Sequence, residues 1–172
     1  MKRIMVMGAS AGVGKSTFAR RLGEKLDIEV YHLDTFYWKP GWVERSLEEF
    51  RLKQEQVVSQ DQWIIEGNYS NTYDVRAPYA DTIIYLELPL SVCLYRVFKR
   101  FFLNIGKNRP DMGEGCREKL DYKFIKFIIT TYYPRKEKMR ERIERFKEMD
   151  PNKKIVKLTS KKGIQSFLDR LP

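Results

Sequence analysis

Residues 8–17 read Gly-Ala-Ser-Ala-Gly-Val-Gly-Lys-Ser-Thr, and a short apolar run, Ile-Met-Val-Met, precedes them at residues 4–7. A continuous apolar run of this length that stops at glycine is typical of a buried parallel strand. A helix is predicted after the glycines, because apolar residues recur at Phe18, Leu22 and Leu26. The chain therefore opens with a strand, a glycine-rich turn and an amphipathic helix.

The turn matches the P-loop pattern, in which a small residue and four others precede Gly-Lys-Ser/Thr. Backbone N–H groups must point inward around a phosphate, so the side chains have to be small or absent, as at Gly12 and Gly14. The start of the helix adds unpaired N–H groups and a positive dipole end. Ala9 stands where the strict pattern has glycine. The predicted nucleotide-binding residues of the motif are Ala9, Ser10, Ala11, Gly12, Val13, Gly14, Lys15, Ser16 and Thr17.

Two polar residues of this motif carry the chemistry expected of a nucleotide site. The ammonium group of Lys15 can reach the β- and γ-phosphates, and the hydroxyl of Ser16 can ligate Mg²⁺. We therefore expect ATP and Mg²⁺ at this turn, with Lys15 as a catalytic residue.

The rest of the chain alternates between strand and helix patterns. Further strands are predicted at residues 28–33, 63–65, 83–88 and 153–158, and helices at about 46–58, at about 90–102 and after Ser160. This alternation predicts an α/β fold with a parallel sheet covered on both faces. The aromatic-rich stretch 35–45 and the glycine-containing stretch 105–118 do not fit the layers, and insertions of this kind are often lids or binding loops.

Three acidic residues are predicted at the carboxyl ends of strands, where open parallel sheets bind their ligands. They are Asp34, Glu66 and Glu87. Phosphoryl transfer needs one carboxylate to hold Mg²⁺ and one to orient or deprotonate the acceptor hydroxyl. Asp34 and Glu66 are the candidates for these two roles, and Glu87 has the weaker case because it is also explained as a solvated strand end.

Composition limits the class of protein and of partner. The 172 residues are 42% hydrophobic and 13% aromatic, which excludes a disordered chain. The formal net charge of +10 favours an anionic partner: a nucleotide, a nucleic acid or an acidic membrane surface. Two cysteines and one histidine give neither a disulfide framework nor a histidine-based metal site. Because no apolar stretch approaches the roughly 20 residues that span a bilayer, we expect a cytoplasmic protein without a membrane partner.

Four segments together resemble the bacterial DNA topology modulation proteins, small P-loop proteins similar to adenylate kinase and to other nucleoside and nucleotide kinases. The segments are residues 14–17 (Gly-Lys-Ser-Thr), 32–34 (His-Leu-Asp), 64–69 (Ile-Ile-Glu-Gly-Asn-Tyr) and 109–112 (Arg-Pro-Asp-Met). The resemblance covers nearly the whole chain. It implies a three-layer P-loop NTPase fold with a five-stranded parallel sheet in the order 2-3-1-4-5, a substrate-binding insertion after the second strand and a lid after the fourth.

The resemblance also divides one domain, residues 1–172, into parts. The implied core comprises 1–34, 61–104 and 119–172, the insertion 35–60 and the lid 105–118. Glu66 matches the Walker B position, where adenylate-kinase-like enzymes have Asp-Gly, so it is a candidate metal residue together with Ser16. Asp34 matches the acid that approaches the acceptor in related kinases of small hydroxyl compounds, which implies catalytic and substrate-binding roles.

The same comparison assigns several arginines. Arg96 and Arg100 match two lid arginines, one over the adenine and one on the phosphates, and Arg135 or Arg140 matches those that return to the transferred phosphoryl group. Arg76 lies where adenylate kinases hold the acceptor phosphate. Phe50-Arg51 resembles a substrate-binding segment of shikimate kinases, although the acid of that segment comes one residue late here. Several arginines suit a transition state whose charge spreads over three oxygens.

These observations lead to the expectation of an Mg²⁺- and ATP-dependent kinase acting on a small acceptor such as a nucleoside or nucleotide. Residues 96–142 contain 14 basic and 6 acidic residues, which fits a cationic lid but also a surface for DNA. A nucleotide-dependent DNA-binding protein and an ATP hydrolase without an acceptor therefore stay open as alternatives. The aromatic cluster formed by Phe36, Tyr37, Trp38 and Trp42 fits either ring stacking on a substrate or a small satellite core. For His32 we expect a structural role.

Overall fold

The computed structural model describes residues 1–104, 111–113, 115, 116 and 120–172. The strands are β1 (Arg3–Gly8), β2 (Val30–His32), β3 (Trp38–Lys39), β4 (Val43–Glu44), β5 (Trp63–Glu66), β6 (Thr82–Leu86) and β7 (Lys154–Leu158). The helices are α1 (Lys15–Leu26), α2 (Leu33–Tyr37), α3 (Leu47–Val58), α4 (Tyr73–Arg76), α5 (Leu90–Leu103), α6 (Tyr122–Met149) and α7 (Lys161–Asp169), and a 3₁₀ turn at Ser70–Thr72 precedes α4.

Five strands form a parallel sheet in the order β2-β5-β1-β6-β7, and β3 and β4 form a separate antiparallel hairpin. Counting only the strands of the large sheet, this order is 2-3-1-4-5, so the predicted α/β fold class is confirmed. The register aligns Val6 of β1 and His32 of β2 with Glu66 of β5. The carboxyl ends of these three strands therefore lie at the same edge of the sheet.

The core lies on both faces of the sheet because successive residues of a strand point to opposite sides. Met5 and Met7 of β1 pack with buried residues of α3 and α6, whereas Ile4 and Val6 pack with buried residues of α1, α5 and α7. The sheet is thus covered on both sides, as its nearly continuous apolar strands predict. None of the helices in the described part of the chain is both long and apolar enough to span a bilayer.

The second strand is shorter than predicted. The N–H of Ile28 donates to the carbonyl of Gly23, so this residue completes the C-terminal cap of α1 instead of entering the sheet. At the other end the chain enters helix α2 at Leu33, directly after His32. Asp34 therefore lies in the first turn of a short helix and not on the strand.

Helix α3 begins where the sequence predicts, because the hydroxyl of Ser46 accepts a hydrogen bond from the N–H of Glu49 at 3.2 Å. Of the predicted lid, residues 105–110, 114, 117 and 118 lie outside the described residues. The described part packs against the β3–β4 hairpin: a Cβ added to Gly113 would lie 2.3 Å from the carbonyl oxygen of Trp38, and the thiol of Cys116 donates to the carbonyl of Lys39 at 3.4 Å.

Candidate active site

A cleft of about 1620 Å³ opens at the carboxyl ends of the parallel strands. Its walls include the turn between β1 and α1, the start of α2, the β3–β4 hairpin and the segment that follows β5. Helices α5, α6 and α7 contribute further side chains to its lining. This is the position at which open α/β sheets bind ligands.

The turn between β1 and α1 is held in shape by two glycines with left-handed backbone conformations. Gly12 has φ 78°, and a Cβ there would lie 2.2 Å from the carbonyl oxygen of Cys93 in α5. Gly14 has φ 102° and caps α1. A side chain at Gly12 would therefore separate the loop from α5, which explains the glycine physically.

Seven of the nine predicted P-loop residues line the cleft: Ala11, Gly12, Val13, Gly14, Lys15, Ser16 and Thr17. Ala9 and Ser10 are fully buried beneath it, and the N–H of Ala9 donates to the carbonyl of Leu86 in β6 at 3.0 Å. These two residues therefore support the loop rather than face the cleft. The departure from glycine at Ala9 is tolerated because its methyl group packs in the core.

Asn68 is a structural residue of this site to which the sequence patterns assigned no role. Its side-chain amide donates to the carbonyl of Gly8 at 2.6 Å, and its Oδ1 accepts from the N–H of Gly8 at 3.0 Å. Both backbone groups at the start of the loop are thus satisfied by one side chain. The contact joins segments 60 positions apart, so no local pattern could have revealed it.

Glu66 links the loop to β2. One of its carboxylate oxygens lies 2.9 Å from Nδ1 of His32, and the other lies 3.9 Å from Nζ of Lys15. Burial by itself would lower the pKa of His32, but the hydrogen bond and negative charge of Glu66, together with Asp111 and Asp34, raise it above the ordinary value. His32 thus lines the cleft while it fixes the orientation of the Glu66 carboxylate.

The residues proposed for Mg²⁺ fit that ion chemically. Ser16 and Glu66 line the same cleft and offer oxygen atoms, the ligands that Mg²⁺ prefers. In the described part of the chain no group of three or more histidine, cysteine or carboxylate side chains could hold a metal ion. Mg²⁺ would therefore depend on phosphate and water oxygens for much of its coordination, which is its usual mode at nucleotide sites.

Asp34 faces the cleft from the first turn of α2. The phenol of Tyr69 donates a hydrogen bond to its carboxylate at 2.6 Å. Burial of the ring, together with the adjacent negative charge of Asp34, raises the pKa of Tyr69, so this phenol remains a donor. The bond holds the carboxylate of Asp34 in a defined orientation at the wall.

The predicted aromatic cluster divides between wall and core. Tyr37, Trp38 and Trp42 line the cleft, with ring centroids of Trp38 and Trp42 5.3 Å apart. Tyr37 also packs against the buried ring of Phe50 and the partly buried ring of Tyr69, at 5.2 and 5.0 Å. The rings that line the cleft offer apolar faces to a ligand, and their stacking on a substrate stays a prediction.

The arginines predicted for the phosphates mostly reach the cleft. Arg96, Arg100 and Arg135 line it, and Nη1 of Arg96 donates to the carbonyl of Val13 at 2.8 Å. Arg135 stacks 4.5 Å above the ring of Phe127, and burial lowers its pKa. Arg140, the alternative to Arg135, instead forms an ion pair with Glu137 at 2.8 Å. Its side chain is largely exposed, so Arg135 is the better placed of the two.

Two predicted substrate contacts are corrected by the structure. Arg76 is fully buried, and its guanidinium donates to Gln54 and to the carbonyls of Gly67, Tyr69 and Thr72, so it has no access to the cleft. Arg51 forms a bidentate pair with Asp74, at 2.7 and 3.1 Å, and does not line the cleft. The family resemblance places both arginines near the acceptor. It does not show with which carboxylate or carbonyl each guanidinium forms hydrogen bonds.

Glu87, the third strand-end acid, pairs with Lys136 at 2.9 Å and with Lys157 at 3.1 Å. These contacts lower its pKa against the opposing effect of burial. Glu87 thus joins the end of β6 to α6 and β7. It does not line the cleft.

No protein-family model matches the chain. A curated relative, the "Uncharacterized protein YqaC" of Bacillus subtilis (strain 168), is 30% identical over 107 residues, which are 61% of this chain and 60% of that protein. The matched region thus spans less than two thirds of the relative's length. The resemblance to DNA topology modulation proteins stays a prediction.

Solved structures resemble the whole chain. A shikimate kinase of Bacteroides thetaiotaomicron has a TM-score of 0.56 at 18% identity, covering 98% of this chain and 95% of its own. A deoxyadenosine kinase of M. mycoides with bound dATP has a TM-score of 0.50 at 14% identity, covering 99% of this chain and 98% of its own. At these identities the likeness concerns architecture, and it shows that the chain has the fold of small P-loop kinases.

Proposed function

We propose that the protein is an Mg²⁺- and ATP-dependent kinase that transfers the γ-phosphoryl group to a hydroxyl of a small acceptor. The observation that carries this proposal is the composition of a single cleft. It contains the phosphate-binding loop with Lys15, an oriented carboxylate at Asp34 and arginines from α5 and α6. These are the groups that phosphoryl transfer requires.

The donor nucleotide would bind along the loop between β1 and α1. Its phosphates accept hydrogen bonds from backbone N–H groups at the start of α1, where the helix dipole also favours negative charge. Lys15 adds a full positive charge, held near Glu66. When Mg²⁺ is bound through Ser16 and Glu66, it supplies further charge neutralisation between the phosphates. Arg96, which donates to the carbonyl of Val13 in the loop, lines the cleft together with Arg100 and Arg135.

The acceptor would lie between the aromatic wall and Asp34. A carboxylate next to the reacting hydroxyl orients it and accepts its proton as the new O–P bond forms. The hydrogen bond from Tyr69 fixes the carboxylate of Asp34 before the acceptor arrives. Such preorganisation matters because phosphoryl transfer depends mainly on positioning and on charge stabilisation.

The structural neighbours support this proposal by name, since one is called a shikimate kinase and the other a deoxyadenosine kinase. Both names describe transfer to small hydroxyl compounds. Because the identities are low, these names do not fix the acceptor of the present chain. The proposal therefore specifies a small hydroxyl acceptor and leaves its skeleton to experiment.

A product screen tests the proposal. The protein is incubated with ATP, Mg²⁺ and pools of nucleosides, nucleotides and polyols, and phosphorylated products are detected by mass spectrometry. We expect acceptor-dependent product, and a loss of about 10²- to 10⁴-fold in kcat for Asp34→Asn. The exposed Asp61 offers a matched control, Asp61→Asn, with unchanged turnover. Steady ADP release without any phosphorylated product would contradict the kinase and identify a hydrolase.

A further inference from the structure

The segments on the acceptor side of the cleft contain five basic residues, and each of them contacts another group of the protein instead of facing the cleft. The basic residues between β2 and the end of α4 are Lys39, Arg45, Arg51, Lys53 and Arg76. Lys39 pairs with Glu49 at 3.1 Å, and Nε of Arg45 donates to the carbonyl of Phe36 at 2.8 Å. Lys53 lies over the ring of Phe36. None of the five lines the cleft.

Arg142 of α6 differs from these residues. It lines the cleft and is half-buried, and its guanidinium carbon lies 4.6 Å from the ring centroid of Tyr73. Within the described residues its guanidinium forms no ion pair and no hydrogen bond, although the negative charge of the adjacent Glu141 acts on it. Burial lowers the pKa of Arg142, and its charge in turn contributes, after complete burial, to lowering the pKa of Arg76 to about 9.

Such a guanidinium is costly for the free protein. Removing a cation from water without an anionic partner leaves part of its desolvation penalty uncompensated. The face of Tyr73 offsets some of this cost and restricts the orientation of the guanidinium, whose N–H groups remain available. An anion that enters the cleft would therefore gain a charge-assisted and already oriented partner.

The position of Arg142 indicates which ligand it meets. Its stacking partner Tyr73 is the first residue of α4. The segment just before α4 contains Tyr69, whose phenol donates a hydrogen bond to Asp34. Arg135 lies two turns earlier on the same helix, about 10 Å away along the axis, and stacks on Phe127. One helix thus presents two arginines to the cleft at different places, and Arg142 is the one beside the acceptor segment.

We infer that Arg142 binds an anionic group of the acceptor, a carboxylate or a phosphate, and thereby selects anionic hydroxyl compounds. The inference rests on the proposed function, because it assigns Arg142 to the acceptor half of the same site. It narrows the acceptor to a molecule that carries both a hydroxyl near Asp34 and a negative charge. Carboxylates and phosphates share the geometry that the guanidinium fork recognises.

Anion binding in the presence of ADP tests this inference without knowledge of the acceptor. The protein is saturated with ADP and Mg²⁺, and inorganic phosphate or malonate is then titrated by calorimetry. We expect one anion site in the wild type, weakened at least 10-fold in Arg142→Gln and less in Arg142→Lys, which keeps the charge but not the fork. The matched control is Arg140→Gln, an exposed neighbour paired with Glu137, with unchanged affinity.

The two probes separate the possible groups, since stronger uptake of phosphate indicates a phosphorylated acceptor and stronger uptake of malonate a carboxylate. Uptake of neither anion by the ADP-saturated wild type would overturn the inference, as would equal uptake by Arg142→Gln and Arg140→Gln. In both cases the proposed kinase function would stand as long as the protein binds ADP. Absence of ADP binding would instead remove the proposed function, and with it this inference.

Discussion

At Gly12 the carbonyl oxygen of Cys93 lies where a side chain would begin, 2.2 Å from an ideal Cβ. The residue also has φ 78°, a conformation that costs other residues roughly 1–2 kcal/mol. Gly41 has the same φ of 78° but nothing within 4 Å of its added Cβ. The two glycines thus share the same φ but have very different surroundings.

This pair gives a prediction for the loop. Gly41→Ala should lower the free energy of unfolding by about 1 kcal/mol through backbone strain alone. Gly12→Ala should cost about 1–3 kcal/mol more, because the loop must move away from α5, and it should also weaken ADP binding. Urea denaturation and calorimetry of both variants measure these effects. Equal destabilisation by the two substitutions would show that the contact between the loop and α5 is not as described.

His32 gives a prediction about pH, because the chain has a single histidine. Its pKa is raised in the folded protein, chiefly by Glu66 against the opposing effect of burial. A raised pKa contributes stability that is fully present below the unfolded value of about 6.5 and is lost as pH rises through the folded value. The difference in unfolding free energy between wild type and His32→Gln should therefore decrease from pH 6 upward.

Nuclear magnetic resonance measures the same shift directly. In protein free of nucleotide and Mg²⁺, the single imidazole should titrate above pH 6.5, and Glu66→Gln should lower its pKa. An imidazole that titrates below its ordinary value would show that burial outweighs the carboxylate of Glu66.

At the scale of elements, Arg76 joins α4 to α3 and to the segment after β5. Its guanidinium donates to Gln54 of α3 and to the carbonyls of Gly67, Tyr69 and Thr72. The phenol of Tyr69 in turn orients Asp34. Arg76 therefore supports the cleft by holding the backbone of Tyr69 and does not line the cleft itself. Arg51, in contrast, joins α3 to α4 through a partly exposed pair with Asp74.

The two arginines should therefore respond differently to substitution. Arg76→Leu leaves several buried carbonyls without a donor, and each unsatisfied group costs about 1–3 kcal/mol, so we expect a loss of at least 3 kcal/mol in stability. Arg51→Ala should have a much smaller effect, as is usual for solvent-screened pairs. Thermal and urea unfolding compare them. Similar small effects at both positions would contradict the buried network around Arg76.

For the whole molecule, local patterns were sufficient to predict much of the architecture. Three features lie within a few residues of one another in the sequence: the apolar run before Gly8, the glycines of the loop and the helical spacing of apolar residues in α1. Alternating strands and helices then determine the α/β class. The start of β2 was misplaced because it depends on the cap of α1, in which the N–H of Ile28 donates to the carbonyl of Gly23.

The site was predicted where a motif, a strand end or the family resemblance indicates it. Lys15 and Ser16 belong to a local motif, Asp34 was predicted at a strand end, and all three line the cleft. The pairing of Arg51 with Asp74 and of Asn68 with Gly8 depends on contacts between distant segments, which a single sequence does not display. Arg142 was missed for the same reason: its importance arises from the lack of an ion pair or hydrogen bond among the described residues, which is visible only in three dimensions.

The cations of the cleft come from α1, α5, α6 and α7, whereas three of its five described acids (Asp34, Glu44 and Glu66) and most aromatic rings come from the segments between β2 and α4. This division fits a donor polyphosphate on one side and an acceptor on the other. It also explains why the basic excess of residues 96–142 does not require a nucleic-acid partner. All of these roles depend on the binding of a polyphosphate by the loop of residues 9–17.

Isothermal titration calorimetry with ATP and Mg²⁺, on the wild type and on Lys15→Ala, tests that claim most directly. We predict one ATP per chain in the wild type and an affinity at least 10-fold weaker for Lys15→Ala, because the lysine supplies the charge opposite the β- and γ-phosphates. Absence of ATP uptake by the folded wild type, or equal affinities for the two proteins, would contradict the account.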